Sequence, residues 1–322
     1  MVLLLKEEDV RALLPMDRAV ELVERAFRLE GEGAAFNATR TRLRYPHGLL
    51  NYMAGAVEPD RAVGLKAYDV SRHGARFVAL LFDSESGSLA GIVEADWLGR
   101  IRTGAASGVA TRFLARADAR VAGVFGSGSQ AQTQIEALLA VRPIELVKIY
   151  TRNPNHRTAF AESLNGRLNC EVRAVQSAEE ALKGSDIITT ITTAAEPLFN
   201  GRMLEPGTHV NAAGSNRPTS REIDVATVAR SAVVAVDSPG QAKIESGDLI
   251  PAVELGQFDW NRATPLSDIV SGNAPGRTDA KQITLFESLG VGIEDVAVAT
   301  WVVAQARKQG RGLEVDFGAA RD

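Results

Sequence analysis

The chain of 322 residues is poor in the residue types that cross-link a protein or hold a metal. It has one cysteine, Cys170, so neither an internal disulfide nor a C-x-x-C site can form. Its four histidines, His47, His73, His156 and His209, are scattered and make no H-E-x-x-H pair, so no metal site is expected. No apolar run approaches the roughly 18 residues of a membrane span. The short run Val2–Leu5 leads straight into Glu7, Glu8 and Asp9, which does not suit the core of a signal peptide. With a single cysteine, this leads to the expectation of a reducing cytosol and of no membrane partner. A basic excess is missing too. The 36 Lys and Arg against 40 Asp and Glu leave a formal net charge of −4, which disfavours a nucleic-acid partner.

What is present is ordinary globular material, 45% apolar, on a chain long enough for about two domains. Pro15 opens a helix whose apolar residues Ala19, Leu22, Val23, Ala26 and Phe27 recur at helical spacing. Short strands then follow over 40–45, 49–54, 63–70, 76–83 and 89–94, the last two joined by Ser86-Gly87 as a hairpin. Turns this short imply an antiparallel or mixed sheet. Near residue 117 the pattern changes. Strands expected over 120–125, 146–151, 171–175, 186–191, 209–213 and 232–237 alternate with helices over 129–141, 154–165, 178–183 and 222–229. That alternation builds a doubly wound parallel sheet. Ile293, Val296, Ala297, Thr300, Trp301 and Ala304 mark a late helix that ends at Lys308 and Gly310. The fold class expected is α/β. A mixed α+β domain over 1–116, completed by a C-terminal helix 293–322, stands beside a doubly wound domain over 117–292.

The turn Gly126-Ser-Gly128-Ser129-Gln130-Ala131 reads G-x-G-x-x-A after a strand and before a helix. Gly126 permits the tight turn, Gly128 lets backbone approach a pyrophosphate, and Ala131 lets helix and strand pack closely. The helix N-terminus, at Ser129 and Gln130, offers free N–H groups to phosphate. This is the dinucleotide fingerprint of a Rossmann domain. A site for NAD usually carries Asp or Glu about 20 residues on, to bind the ribose hydroxyls. Here that strand ends in Thr151-Arg152-Asn153, with Arg157 nearby and no carboxylate. Arginine pairs bidentately with phosphate, so NADP(H) is the expected cofactor, with NAD(H) as the alternative. Arg152 as an exposed loop cation, or stacked on adenine, is the competing reading. Thr192 and Thr193, at the end of the 186–191 strand, fall where strand C-termini meet ligand; Ser215 and Gly292 are weaker candidates.

Four segments resemble the ornithine cyclodeaminase/mu-crystallin family. They are Gly64-Leu-Lys66; Gly99-Arg-Ile-Arg102-Thr103-Gly-Ala-Ala-Ser; the glycine turn at 126–131; and His209-Val-Asn-Ala-Ala-Gly214-Ser215-Asn216-Arg-Pro, extended by Glu222-Ile-Asp224. The resemblance implies a homodimer, a first domain that binds substrate and dimerises, and hydride transfer between nicotinamide and the α-carbon of an amino or imino acid. It implies that Lys66, Arg102 and one arginine of the 40–44 strand bind the substrate carboxylate, and it puts Thr103 with the cofactor contacts. A lysine in the apolar strand Val63-Gly-Leu-Lys66-Ala-Tyr68 is costly unless an anion is close. Arg102 is read at a helix start, where guanidinium and helix dipole would act together. Arg40 fits the family spacing to Met53, and Arg42 the spacing to Asn51; both stay open.

The chain also departs from the cyclodeaminase pattern. Asn51 and Asn216 stand where the resemblance implies carboxylates. An amide cannot exchange a proton near neutral pH, so acid–base work at those positions is lost. Reducing an imine that arrives protonated needs only a carboxylate clamp, a hydride donor and a dry pocket, with Asn216 orienting the imine nitrogen or a water. The expected activity is therefore reduction of a cyclic ketimine, such as pyrroline-2-carboxylate or piperideine-2-carboxylate. The alternatives are an ornithine cyclodeaminase or alanine-type amino-acid dehydrogenase, and an NADPH-binding crystallin-like protein.

Overall fold

Contacts within the chain gather into two units in a computed structural model that describes residues 1–317: Met1–Arg102 with the segment from Val291 on, and Thr103–Gly290. The first unit runs β1 (Val2–Leu5), α1 (Glu7–Leu13), α2 (Met16–Gly31), β2 (Ala35–Asn37), β3 (Thr41–Tyr45), β4 (Gly48–Val57), β5 (Ala62–Ser71), β6 (Gly74–Asp83), β7 (Leu89–Glu94) and the first part of α3 (Asp96–Leu114). The second unit adds β8 (Val121–Phe125), α4 (Ala131–Val141), β9 (Leu146–Tyr150), α5 (Pro154–Leu164), β10 (Glu171–Ala174), α6 (Ala178–Leu182), β11 (Ile187–Thr190) and β12 (His209–Ala212). It continues with α7 (Val225–Arg230), β13 (Ser231–Val236), α8 (Pro239–Glu245), α9 (Ile250–Glu254), β14 (Ala263–Pro265), α10 (Leu266–Ser271) and β15 (Ile283–Glu287). The chain then returns to the first unit as α11 (Gly292–Gln309) and β16 (Leu313–Val315).

In the first unit one sheet has the order β16-β1-β7-β6-β5-β4-β2, with β3 also on β4. Only the β1–β7 pairing is parallel. Alternation sorts its two faces. Met53, Lys66, Ala79 and Val93 lie in one register row and are all buried. Helix α11 packs on β4, β5 and α2. The opposite face carries Tyr52, Ala54, Val63, Leu65, Leu80 and Ile92. Those side chains stay half-buried or exposed, so an apolar sheet face is left open to solvent.

The second sheet is wholly parallel, in the order β10-β9-β8-β11-β12-β15-β13-β14. Successive residues alternate between two apolar clusters: Val124 and Ile187 belong to one, Phe125 and Ile188 to the other. The strand order reverses between β8 and β11, which is where a doubly wound sheet binds ligand.

Three sequence expectations shift. The units divide inside α3, at Arg102/Thr103, rather than at 116/117. The change of pattern marks the first Rossmann strand, but the preceding helix already belongs with that unit: Gln134 Nε2 donates to the Thr103 carbonyl at 3.3 Å and Asn211 Nδ2 to Thr111 Oγ1 at 3.0 Å. The late helix ends at Gln309, capped by Gly310 at φ +64°, where the Lys308–Gly310 signal puts its end, but the segment after it is not its continuation to 322: the chain re-enters the sheet as β16. Residues 318–322, placed in that helix by the sequence reading, lie outside the described residues. Pro15 is the N-cap of α2 rather than its first residue. Among the described residues no helix is long and apolar enough to cross a membrane.

Candidate functional site

In the second unit a cleft of about 360 Å³ opens above the switch point. Gly126, Ser127, Gly128, Ser129 and Gln130 form one side, Tyr150, Thr151, Arg152 and His156 another, and Ile191, Thr192, Thr193 and Gly214 a third. Gly126 has φ +121°, and a Cβ there would meet the Ile191 carbonyl at 2.5 Å, so the turn requires glycine. Ala131, fully buried, seats α4 against the sheet. Beyond the turn, the Ala131 N–H that opens α4 donates to the Gly128 carbonyl at 3.0 Å, and the start of α4 follows the glycine turn directly, as a phosphate-binding helix N-terminus does. The Gln130 side-chain oxygen is buried in this wall with no partner. These features fit a dinucleotide. Arg152 is exposed and lines the cleft.

Other members of the expected cofactor set have different work. Arg157 is buried. It donates to the Thr151 carbonyl (3.1 Å) and to Gln176 Oε1 (2.7 Å) and lies 5.6 Å from the Tyr150 ring, so it braces the β9 tip instead of facing the cleft. Asn153 caps α5, accepting from the N–H groups of Asn155 and His156. The Ser215 hydroxyl closes its own loop on the Ser220 carbonyl at 2.8 Å. Thr103 is a buried α3 residue. Gly292 falls in the first unit, where a Cβ would lie 2.4 Å from the Ala54 carbonyl; it lets α11 sit close on β4. None of these five lines the 360 Å³ cleft.

The first unit holds a buried ionic cluster. Lys66, 2% exposed, donates from Nζ to Asp295 Oδ1 at 2.8 Å. Arg102 donates from Nε to the same oxygen at 2.9 Å and from Nη1 to Glu294 Oε2 at 2.7 Å. Arg40, also buried, points Nε at Met53 Sδ, 3.1 Å away. Burial lowers the Lys66 ammonium to about 8. The charges of Arg102 and Arg40 act in the same direction, and Asp295 opposes them. Burial also works against the charge of Arg102, but Asp295 and Glu294 outweigh it and hold the guanidinium charged. Three cations, Arg40, Lys66 and Arg102, and two carboxylates, Glu294 and Asp295, are thus gathered in this buried cluster.

Two sequence inferences change here. The anion beside Lys66 is supplied by the chain itself, as Asp295. Arg102 lies within α3, which starts at Asp96, so the helix dipole adds nothing at its position. Glu294 and Asp295 belong to this cluster and are passed over by sequence reasoning, since an acidic pair in a first helical turn reads as solvated. Arg42 is half-buried and registers with Asn51; Arg40 is the arginine whose charge reaches Lys66. Asn51 is buried on the Lys66 face of β4, its amide donating to the Leu49 carbonyl at 3.2 Å. Asn216 belongs to the second unit, half-buried on the loop after β12. His73 is an exposed turn residue. Among the described residues no group of three or more His, Cys, Asp or Glu is arranged to hold a metal ion.

A profile of the ornithine cyclodeaminase/mu-crystallin family matches residues 2–310. The chain belongs to this family. Among its relatives is a delta(1)-pyrroline-2-carboxylate reductase of Bacillus cereus, 36% identical over 241 residues, 74% of either chain. Among solved structures of the family, the delta(1)-pyrroline-2-carboxylate reductase of Thermococcus litoralis, in complex with NADH and L-proline, superposes with a TM-score of 0.93 at 36% identity. That match covers 98% of this chain and 100% of the other. An archaeal alanine dehydrogenase dimer with bound NAD gives a TM-score of 0.92 at 31% identity over 98% and 99%.

Proposed function

We propose that the chain is an NAD(P)H-dependent reductase of cyclic imino acids of the pyrroline-2-carboxylate and piperideine-2-carboxylate type. The observation that carries this reading is the gathering of three buried cations, Arg40, Lys66 and Arg102, within electrostatic reach of one another. Such a set suits a substrate carboxylate. In a water-poor site such a charge-assisted pair both binds and orients. Bound in the glycine-turn cleft, the dinucleotide supplies the hydride that reduces the C=N bond. The chain's own part is to hold the carboxylate by Lys66, Arg102 and Arg40 and to keep the ring dry. With amides at Asn51 and Asn216, the chain offers no acid or base at either position, which suits a substrate that arrives as an iminium and not one that must first be deaminated.

Two finer points belong to the same proposal. Arg152, exposed on the cleft wall where an acidic residue would favour NAD, supports a preference for NADPH. The open apolar face of the first sheet supports a homodimer. The likeness to relatives named as pyrroline-2-carboxylate reductases supports the substrate class.

The test is a cofactor-oxidation screen over cyclic imino acids, and over 2-oxo acids with ammonia or methylamine. Turnover concentrated in the cyclic imino acids is expected. Turnover confined to 2-oxo acids with ammonia would replace the proposal with an amino-acid dehydrogenase.

A further inference from the structure

Glu222 lies on the loop between β12 and α7 and is fully buried. Its Oε1 accepts from the Thr192 N–H at 2.6 Å. Its Oε2 accepts from the Gly214 N–H at 2.7 Å and from the Thr190 hydroxyl at 3.0 Å. Thr190 ends β11, Thr192 follows it, and Gly214 follows β12. Thr192 and Gly214 both line the dinucleotide cleft. One carboxylate therefore ties the exits of two adjacent strands together in the cleft wall. The joint has no slack, since a Cβ at Gly214 would lie 2.4 Å from Thr192 N and 2.5 Å from Glu222 Oε1. Glu222 is held in turn, its own N–H and that of Ile223 donating to Asp248 Oδ1 at 2.7 and 2.9 Å. The sheet does not need this joint to form, because β11 and β12 already pair along their whole length.

We infer that Glu222 is a positioning residue for the dinucleotide, its ionised carboxylate holding the exits of β11 and β12 at the spacing that accepts the cofactor. The inference rests on the dinucleotide reading above. Burial pushes the Glu222 carboxyl up to about 7; the hydrogen bonds from Thr192 and Gly214 oppose the rise, and the charge of Asp248 adds to it. Protonation puts an O–H on a group that two backbone N–H donors face, so the joint loosens as pH falls through neutrality. The other charged groups around it are Asp248, itself raised to about 6 by burial, Glu287, raised well above its ordinary range by burial and by Asp248, Asp237 and Glu222, and Arg221, whose charge lowers Asp248.

The experiment is an NADH titration of the intact protein from pH 8.5 to 6. NADH is used because it lacks the titrating 2′-phosphate of NADPH. Affinity should weaken severalfold as pH falls through about 7. Glu222→Gln, whose NH₂ would face one of the N–H donors, should bind about tenfold more weakly at pH 8.5, with the step near pH 7 gone. Thr190→Val removes one bond to the ionised carboxylate. It should move the step to higher pH. A Glu222→Gln protein with normal affinity and the normal pH profile overturns the inference. Should that variant fail to fold, an unmoved step in Thr190→Val overturns it. Failure of the unmodified protein to bind any dinucleotide would instead sink the cofactor reading, and this inference with it.

Discussion

The two units handle buried charge in opposite ways. In the first, Lys66 and Arg102 are paired with Glu294 and Asp295 through direct ion pairs. In the second, no ion pair reaches Glu222 or Asp248 among the described residues, although the charge of Arg221 lowers Asp248. Backbone N–H groups and a hydroxyl satisfy both oxygens of Glu222, backbone N–H groups one oxygen of Asp248, and both carboxyls lie above the ordinary carboxylate range. Arg152, which lines the cleft of the second unit, stands outside in solvent. The contrast follows from what each unit would bind. A small carboxylate needs a dry, preorganised counter-charge. A long dinucleotide needs a shaped backbone wall, with one cation at its edge.

The comparison breaks most sharply at Asp295. Replacing it with Asn strips two buried cations of their shared partner and should cost about 3–5 kcal/mol of stability. Denaturant unfolding followed through Trp97 and Trp301, both in the first unit, reads this directly. The same exchange at Asp248 should cost only about 1–2 kcal/mol, because an amide oxygen can still accept its two N–H bonds. Equal costs would mean that the two clusters do not differ in kind.

Arg152→Ala sharpens the comparison from the other side. It should shrink the preference for NADPH over NADH by about 1.5–3 kcal/mol without touching substrate binding. Because Arg152 is exposed, added salt should erode that preference in the unmodified protein and leave the buried clamp little affected. Equal affinity of the unmodified protein for the two cofactors would contradict the role given to Arg152.

A smaller effect is expected at Lys66. Lys66→Met should lower kcat/KM by at least about tenfold, roughly 1.4 kcal/mol, while NADPH still binds. The ammonium sits near 8 rather than 10.5, so it loses its charge as pH rises through about 8, and with it part of the carboxylate anchor. Pyrrole-2-carboxylate, a planar ring acid without a basic nitrogen, should therefore inhibit more weakly above pH 8 than below. In Lys66→Met that dependence should vanish.

Most of the second unit is legible from sequence because its strands are short apolar runs bounded by turn residues, and burial on both faces leaves no polar alternation to obscure them. β15 escapes notice: five residues after a glycine- and proline-containing stretch, ending in a glutamate, do not look like a strand near the centre of a sheet. Lys66 is legible because a lysine interrupts an apolar strand. Its partner is not. Acidic residues in a first helical turn normally read as solvated companions of the helix dipole, and only the packing of α11 on β4 and β5 buries Glu294 and Asp295. Arg157 fails the other way. A charged residue near a cofactor motif invites a ligand role, yet its stem and guanidinium are spent on Thr151, Gln176 and Tyr150. Glu222 precedes the helix cap Asp224 by two residues, and nothing in the spacing separates the one that caps from the one that joins two strands.

The central claim, reduction of a preformed cyclic imine without deamination, is tested most directly by supplying pyrroline-2-carboxylate with NADPH and ornithine with NAD⁺ side by side, following cofactor absorbance and free ammonia. The account predicts NADPH-dependent formation of proline from the imine and no ammonia from ornithine, because Asn51 and Asn216 can exchange no proton with a second amino group. Efficient conversion of ornithine to proline with release of ammonia would contradict it, whatever the rate with the imine.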